Sequence, residues 1–308
     1  MTTFTKSIMR LFNVAMLLAV VSVRADGQVV THPPNDIRSV AQDVAVPPMV
    51  HSLPAPGIRV CETHPDYRQT EVYHAIYLPT EWYEGGEYPV IVEFAGNGPY
   101  RSPFGDVSTG LVEGSQMGIG ISRGEKFVWI CMPYLNNVGT KNVTQWWGNP
   151  TSYDPRPTVE YCKKTVDWIC KKYGGDRKRI LLVGFSRGAI ACNYLGLYDG
   201  EIARLWKAMI PYSHYDGVRR WGFPKSDLVS ARLRLQRLGG TPQLICHEEN
   251  GRSGLSATEA YLQRTAIPGN FTFLSTGFRN HNDAWILRPS PARDKLDDWV
   301  RKHLLDDQ

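Results

Sequence analysis

The stretch LLVGFSRGA, Leu181–Ala189, sets a serine between two glycines, directly after an apolar run and directly before a helix-like one. Gly184, Ser186 and Gly188 match the pattern G-x-S-x-G, which is short enough to arise by chance. Context therefore decides whether Ser186 is a nucleophile on a strained turn or a hydroxyl in a tight connection. A nucleophile elbow needs a buried strand feeding it and a helix leaving it. RILLVGF (Arg179–Phe185) reads as such a strand, and Arg187–Leu197 as the helix. The glycines let the turn tighten until the serine Oγ projects above the sheet. The free N–H groups at the helix start then favour a developing negative charge. In that setting Ser186 is read as the nucleophile.

Outward from the elbow, strands and helices alternate. Ile58–Cys61 and Glu71–Leu78 alternate like half-buried antiparallel strands, while Tyr88–Phe94 and Lys126–Met132 are nearly continuous apolar runs. Thr158–Lys172 carries Val159, Cys162, Val166, Ile169 and Cys170 on one helical stripe and stops at Tyr173-Gly174-Gly175. Further strands are expected at Trp206–Pro211, Pro242–Cys246 and Phe271–Leu274. Helices are expected at Asp227–Leu238, Ser256–Thr265 and Pro291–Leu305. The alternation predicts an α/β fold, a mostly parallel, doubly wound sheet of about eight strands with helices on both faces. The Gly-rich Gly105–Gly124 has no strand before it in the dinucleotide-binding arrangement and reads as a loop.

A serine needs a base to become a nucleophile. His281 lies seven residues beyond Leu274 and before the closing helix, where such a base belongs. The bland alternative is a loop histidine in the polar cluster Arg279–Asp283.

Residues 1–25 have the layout of a secretory signal peptide: Lys6 and Arg10, the apolar run Leu11–Val23, then Val23-Arg24-Ala25. The run is too short to span a bilayer as a helix, although an uncleaved anchor is the competing reading. A secreted or periplasmic protein is expected, with no membrane contact after cleavage. Residues 26–57 hold six prolines between Pro33 and Pro56 and read as an extended leader or linker, leaving 58–308 as the folded domain. The net charge of +5 is scattered, and its densest run, Lys171–Arg179, sits at a helix end, which argues against a nucleic-acid partner. Six cysteines permit disulfides in an exported chain, but Cys131, Cys192 and Cys246 look like small core residues. No Cys/His cluster has zinc spacing, so neither metal nor cofactor is expected.

With GFSRG, the strand–helix order and the late His281, the chain from Ile58 to Leu305 resembles the α/β-hydrolase superfamily. Within it, the resemblance is to secreted serine esterases of the feruloyl-esterase and polyhydroxyalkanoate-depolymerase-like kind. The resemblance implies a triad in the order serine, acid, histidine, an oxyanion hole, and ester hydrolysis through an acyl-enzyme. Where such enzymes often carry H-G-x-x-D, this chain has His247-Glu248-Glu249-Asn250-Gly251. Glu249 is the first choice for the acid, since a glutamate can orient a histidine. Asp216, in IPYSHYDGV after the preceding strand, is the alternative, and Glu248 comes third. The oxyanion hole should combine the backbone N–H of Arg187 with that of Asn97 in Ala95-Gly96-Asn97-Gly98-Pro99, or with that of Gly96 or Gly98 if the turn is shifted by one.

Tyr134, Trp146, Trp147, Tyr153, Trp221 and Phe223 lie in loops, where they either stack on a sugar ring or phenolic group or simply pack. The Arg187 side chain either meets a substrate carboxylate or forms a structural pair. The expected substrate is a small-molecule or polymer-borne ester. Two other readings stay open: a catalytically silent binding protein on the same fold, and a serine peptidase.

Overall fold

The computed structural model describes residues 20–23, 29–32, 35–249 and 254–306. The expected signal peptide therefore lies, apart from Val20–Val23, outside the described residues. Val20–Val23 pairs antiparallel with Val29–His32 as a separate two-stranded sheet.

Nine strands form the main sheet: β1 (Met49–Val50), β2 (Arg59–Glu62), β3 (His74–Tyr77), β4 (Tyr88–Phe94), β5 (Val128–Met132), β6 (Gly175–Phe185), β7 (Ala208–Tyr212), β8 (Gln243–His247) and β9 (Phe271–Ser275). Their order is β9-β8-β7-β6-β4-β5-β3-β2-β1, and only β3 runs antiparallel to its neighbours. Among the described residues, the α-helices longer than one turn are α1 (Met117–Ser122), α2 (Arg156–Tyr173), α3 (Arg187–Tyr194), α4 (Leu228–Leu235), α5 (Gly254–Thr265) and α6 (Pro291–Val300).

Alternation along the central strands divides the core in two. Val90, Val92 and Phe94 of β4 pack with Val159, Cys162, Val166 and Ile169 of α2 and with Ile190 and Ala191 of α3. Ile91 faces the opposite side, with Met117 and Ile119 of α1 and Leu296 and Val300 of α6. Because successive strand residues point to opposite faces, a run apolar at every position must be covered on both. The helix-on-both-faces architecture follows directly.

The structure departs from expectation at three places. The ninth strand, β1, comes from the Pro-rich leader. Residues 35–57 are built onto the domain: Ile37 is buried, the Asp43 and Val44 N–H groups donate to the Leu287 carbonyl (3.1 and 3.3 Å), and Arg293 pairs with Asp43. The prolines set an extended path but leave most N–H groups free to dock. Gly105–Gly124 is not only loop, since it contains α1. Its glycines lower helix propensity yet permit contact, and a Cβ at Gly118 would stand 2.1 Å from the Trp129 ring. Lastly, β3 is buried at all four positions rather than half-buried. His74 Nδ1 lies 2.7 Å from the Tyr161 hydroxyl of α2.

All six cysteines are free thiols, five of them buried and Cys61 exposed. Among the described residues, no helix is long and apolar enough to cross a membrane.

Candidate active site

Ser186 follows the last residue of β6 and caps α3 with φ 55° and ψ −111°, outside the comfortable regions for an L-residue. Neighbouring contacts enforce that conformation. The Ser186 N–H donates to the Tyr212 carbonyl at 2.9 Å. α3 crosses β4 so closely that a Cβ at Gly188 would stand 1.9 Å from the Phe94 oxygen. Glycine at that position is therefore a steric requirement of the turn.

His281 sits in the turn after β9. Its Nε2 lies 3.0 Å from Ser186 Oγ, and its Nδ1 lies 2.8 Å from Glu248 Oε1. Ser213, after β7, joins this chain: its Oγ donates to Glu248 Oε1 at 2.9 Å and lies 2.7 Å from His281 Nδ1. Ser213 holds φ 84°, so the strand exit is strained here too. The imidazole is enclosed by the rings of Phe185, Tyr100 and His214, with centroids 4.8, 5.4 and 5.3 Å away.

Glu248 is buried, which by itself would raise its pKa. The hydrogen bond and charge of His281 outweigh burial and hold the carboxyl below its ordinary value. Burial pushes His214 down to about 3 and His247 to about 4, so both present neutral rings beside the chain.

Of the carboxylates expected to meet the histidine, the structure brings neither Glu249 nor Asp216 there. The Glu249 side chain turns to the Ser275 hydroxyl, and its N–H donates to the Phe278 carbonyl at 2.7 Å. Extended neighbours point to opposite sides, so only one of two adjacent glutamates can face His281, and that one is Glu248. Asp216 is held in a buried two-pronged pair with Arg234 of α4 (2.8 and 3.1 Å).

The loop expected to supply the second oxyanion donor is tied to the elbow. Arg187 Nη2 donates to the carbonyls of Gly96 (2.7 Å) and Gly110 (3.1 Å), Nη1 donates to that of Trp146 (2.9 Å), and the guanidinium lies 3.7 Å over the Tyr134 ring. The Arg187 side chain is thus neither a substrate clamp nor one half of a carboxylate pair. It is buried, and loss of water lowers its pKa to about 10. Asn97 Oδ1 accepts from the Trp146 N–H at 3.1 Å. The Arg187 N–H is the first of α3 and has no carbonyl a turn earlier within the helix to bond.

Most of the loop aromatics are packing. Trp147 is fully buried and stacks on Tyr194 with ring centroids 4.4 Å apart, and Tyr134 and Phe223 are buried as well. Trp221 is the exception. With Tyr100, His214, Tyr215 and Thr258 it lines a cleft of about 380 Å³ that opens onto His281, Glu248 and Ser213. A larger hollow of about 640 Å³, between Arg232 and Asn270, contains neither a nucleophile nor a base. Among the described residues, no group of three or more His, Cys, Asp or Glu side chains is arranged to hold a metal ion.

The sheet order is that of the α/β-hydrolase fold, and solved structures share that fold. An S-formylglutathione hydrolase from Agrobacterium tumefaciens matches with a TM-score of 0.55 at 15% identity, over 81% of this chain and 97% of its own. The fluorophosphonate-binding serine hydrolase F of Staphylococcus aureus matches with a TM-score of 0.52 at 13% identity, over 82% of this chain and 100% of its own. The AtxE2 isopeptidase matches with a TM-score of 0.51 at 16% identity, over 94% of this chain. The chain spans only 45% of the isopeptidase's length and 62% of that of a thermostable esterase. No family model matches the chain, and no curated protein matches it. The chain has the α/β-hydrolase fold.

Proposed function

We propose that the protein is an exported serine hydrolase that cleaves carboxylic esters, with Ser186 as nucleophile, His281 as base and Glu248 as the acid that orients it. The observation that carries this reading is the continuous hydrogen-bonded chain Ser186–His281–Glu248 on a strained elbow. His281 Nε2 takes the Ser186 proton as Oγ attacks the carbonyl carbon. The backbone N–H groups of Arg187 and Asn97 hold the oxyanion, each such donor being worth about 3 kcal/mol of barrier. The imidazolium that forms is stabilised by Glu248 and returns its proton to the departing alcohol. Water then hydrolyses the acyl-enzyme by the same steps in reverse. The cleft beside His281 suits a small leaving group, and its volume falls at the lower end of the range for small-molecule sites. Export is supported by the N-terminal sequence alone.

The test is a fluorophosphonate probe with a panel of p-nitrophenyl esters and matched anilides. Wild-type protein should label and turn over esters faster than anilides, and Ser186→Ala should do neither. Failure of the wild type to label sinks the proposal in favour of a silent binding protein. Anilide turnover equal to ester turnover points to a peptidase.

A further inference from the structure

Three segments far apart in sequence converge on the turn that carries His281. The hairpin Tyr100–Arg101/Val107–Ser108 brings in Asp106, which is only 3% exposed. The turn Phe278–Asn282 carries His281 between two asparagines. Asn280 Nδ2 donates to Asp106 Oδ1 at 3.1 Å, and Asn282 Nδ2 donates to the same oxygen at 3.3 Å. The other oxygen, Oδ2, accepts from Ser102 Oγ at 2.7 Å, which fixes the carboxylate from within its own hairpin. Residues 35–37 form the third segment: the Ile37 N–H donates to Asn280 Oδ1 at 2.7 Å, and the Arg279 N–H donates to the Asn35 carbonyl at 2.9 Å.

The same two asparagines are gripped again through their backbones. The Tyr212 hydroxyl of β7 lies 3.3 Å from the Asn280 carbonyl and 3.1 Å from that of Asn282. The residues on either side of His281 are therefore each held twice, by one carboxylate through their side chains and by one phenol through their main chains. This bracket leaves the imidazole little freedom to rotate or shift. The catalytic geometry requires such restraint, since a misplacement of about 1 Å is enough to cost two orders of magnitude in rate.

We propose that Asp106 is a positioning residue for the hydrolytic reaction: its buried carboxylate holds Asn280 and Asn282 so that His281 keeps Nε2 on Ser186 and Nδ1 on Glu248. This rests on the reading of His281 as the base. Asp106 touches neither substrate nor the reacting atoms and acts only through the turn. A single oxygen accepts both asparagine bonds, so a neutral amide at 106 can offer its own Oδ1 in the same place, whereas an alanine offers nothing.

The test compares full-length wild type, Asp106→Ala and Asp106→Asn by ester kinetics, thermal melting and the proton NMR signal of the His281 Nδ1–H. Asp106→Ala should lower kcat by about 10- to 100-fold with KM within about threefold, and should broaden or shift the strongly deshielded Nδ1–H resonance. Asp106→Asn should recover kcat to within about fivefold of wild type and restore the resonance. Equal loss in both variants would overturn the proposal, because the bracket needs an acceptor at this site and not a charge. So would a folded Asp106→Ala with unchanged kcat and resonance. If Asp106→Ala does not fold, Asn282→Ala, which removes one of the two bonds, takes its place and should lower kcat by about three- to tenfold. If wild type turns over no ester at all, the functional reading has failed. The resonance then still decides whether Asp106 orders the histidine.

Discussion

Replacing Glu248 by glutamine tests the assignment of the acid most directly. The substitution preserves shape. A glutamine Oε1 can still accept from His281 Nδ1 and from the Ser213 hydroxyl, which now lie 2.8 and 2.9 Å from the glutamate oxygen. What disappears is the negative charge facing the imidazolium of the transition state. With charge centres about 4 Å apart and an effective dielectric of about 20, that attraction is about 4 kcal/mol. At 1.36 kcal/mol per tenfold, kcat should fall by about 10³-fold. If the amide instead presents its NH₂ group, Nδ1 must become the acceptor and Nε2 carries the proton. Such a histidine cannot take one from Ser186, and the loss is larger still. Glu249→Gln, which alters only a bond to Ser275, should change kcat by less than about threefold. Saturation kinetics on p-nitrophenyl acetate, with melting curves to show that both variants are folded, supply the readout. A Glu248→Gln protein keeping more than a tenth of wild-type kcat, or a Glu249→Gln protein falling as far, would refute the assignment.

Burial, with Glu93 nearby, raises Asp283 to about 7, while Gln116 Nε2 donates to it at 2.6 Å. Its folded pKa lies above the unfolded value, so the folded state binds the extra proton. Stability should therefore fall as pH rises from about 4 to about 7, by up to about 4 kcal/mol, and then level off. Asp283→Asn should flatten that slope in melting curves taken across the range; an unchanged slope would place its origin elsewhere. At the elbow, Gly188→Ala should lower stability by about 3 kcal/mol or more, because the atom it meets is the Phe94 carbonyl of a central strand and cannot swing aside. An unchanged denaturation midpoint would mean that α3 can tilt away from β4.

The elements legible in the sequence are those with strong local signals. The apolar runs of β4, β5 and β6 could only be strands covered on both faces, and the α2 stripe with its Gly174 stop, φ 71°, had one reading. α1 was hidden because its glycines serve close contact with Trp129 and spoil the helical pattern. β1 was hidden because a two-residue strand among prolines has no period of its own. Ser213, Asp106 and Tyr100 carried no signal either. They matter through partners far away in the chain, 68, 174 and 176 positions off in the Ser213–His281, Asp106–Asn280 and Asp106–Asn282 bonds.

By itself, then, the sequence determined the elbow and the late histidine, since a G-x-S-x-G between a buried strand and a helix is a local property of the chain. The choice among Glu248, Glu249 and Asp216 belonged to the tertiary structure. All three are acidic residues just beyond strand ends, with nothing in their immediate sequence to separate them. What separates them is the direction in which each side chain leaves the backbone and the partner it finds there: His281 for Glu248, Ser275 for Glu249, Arg234 for Asp216.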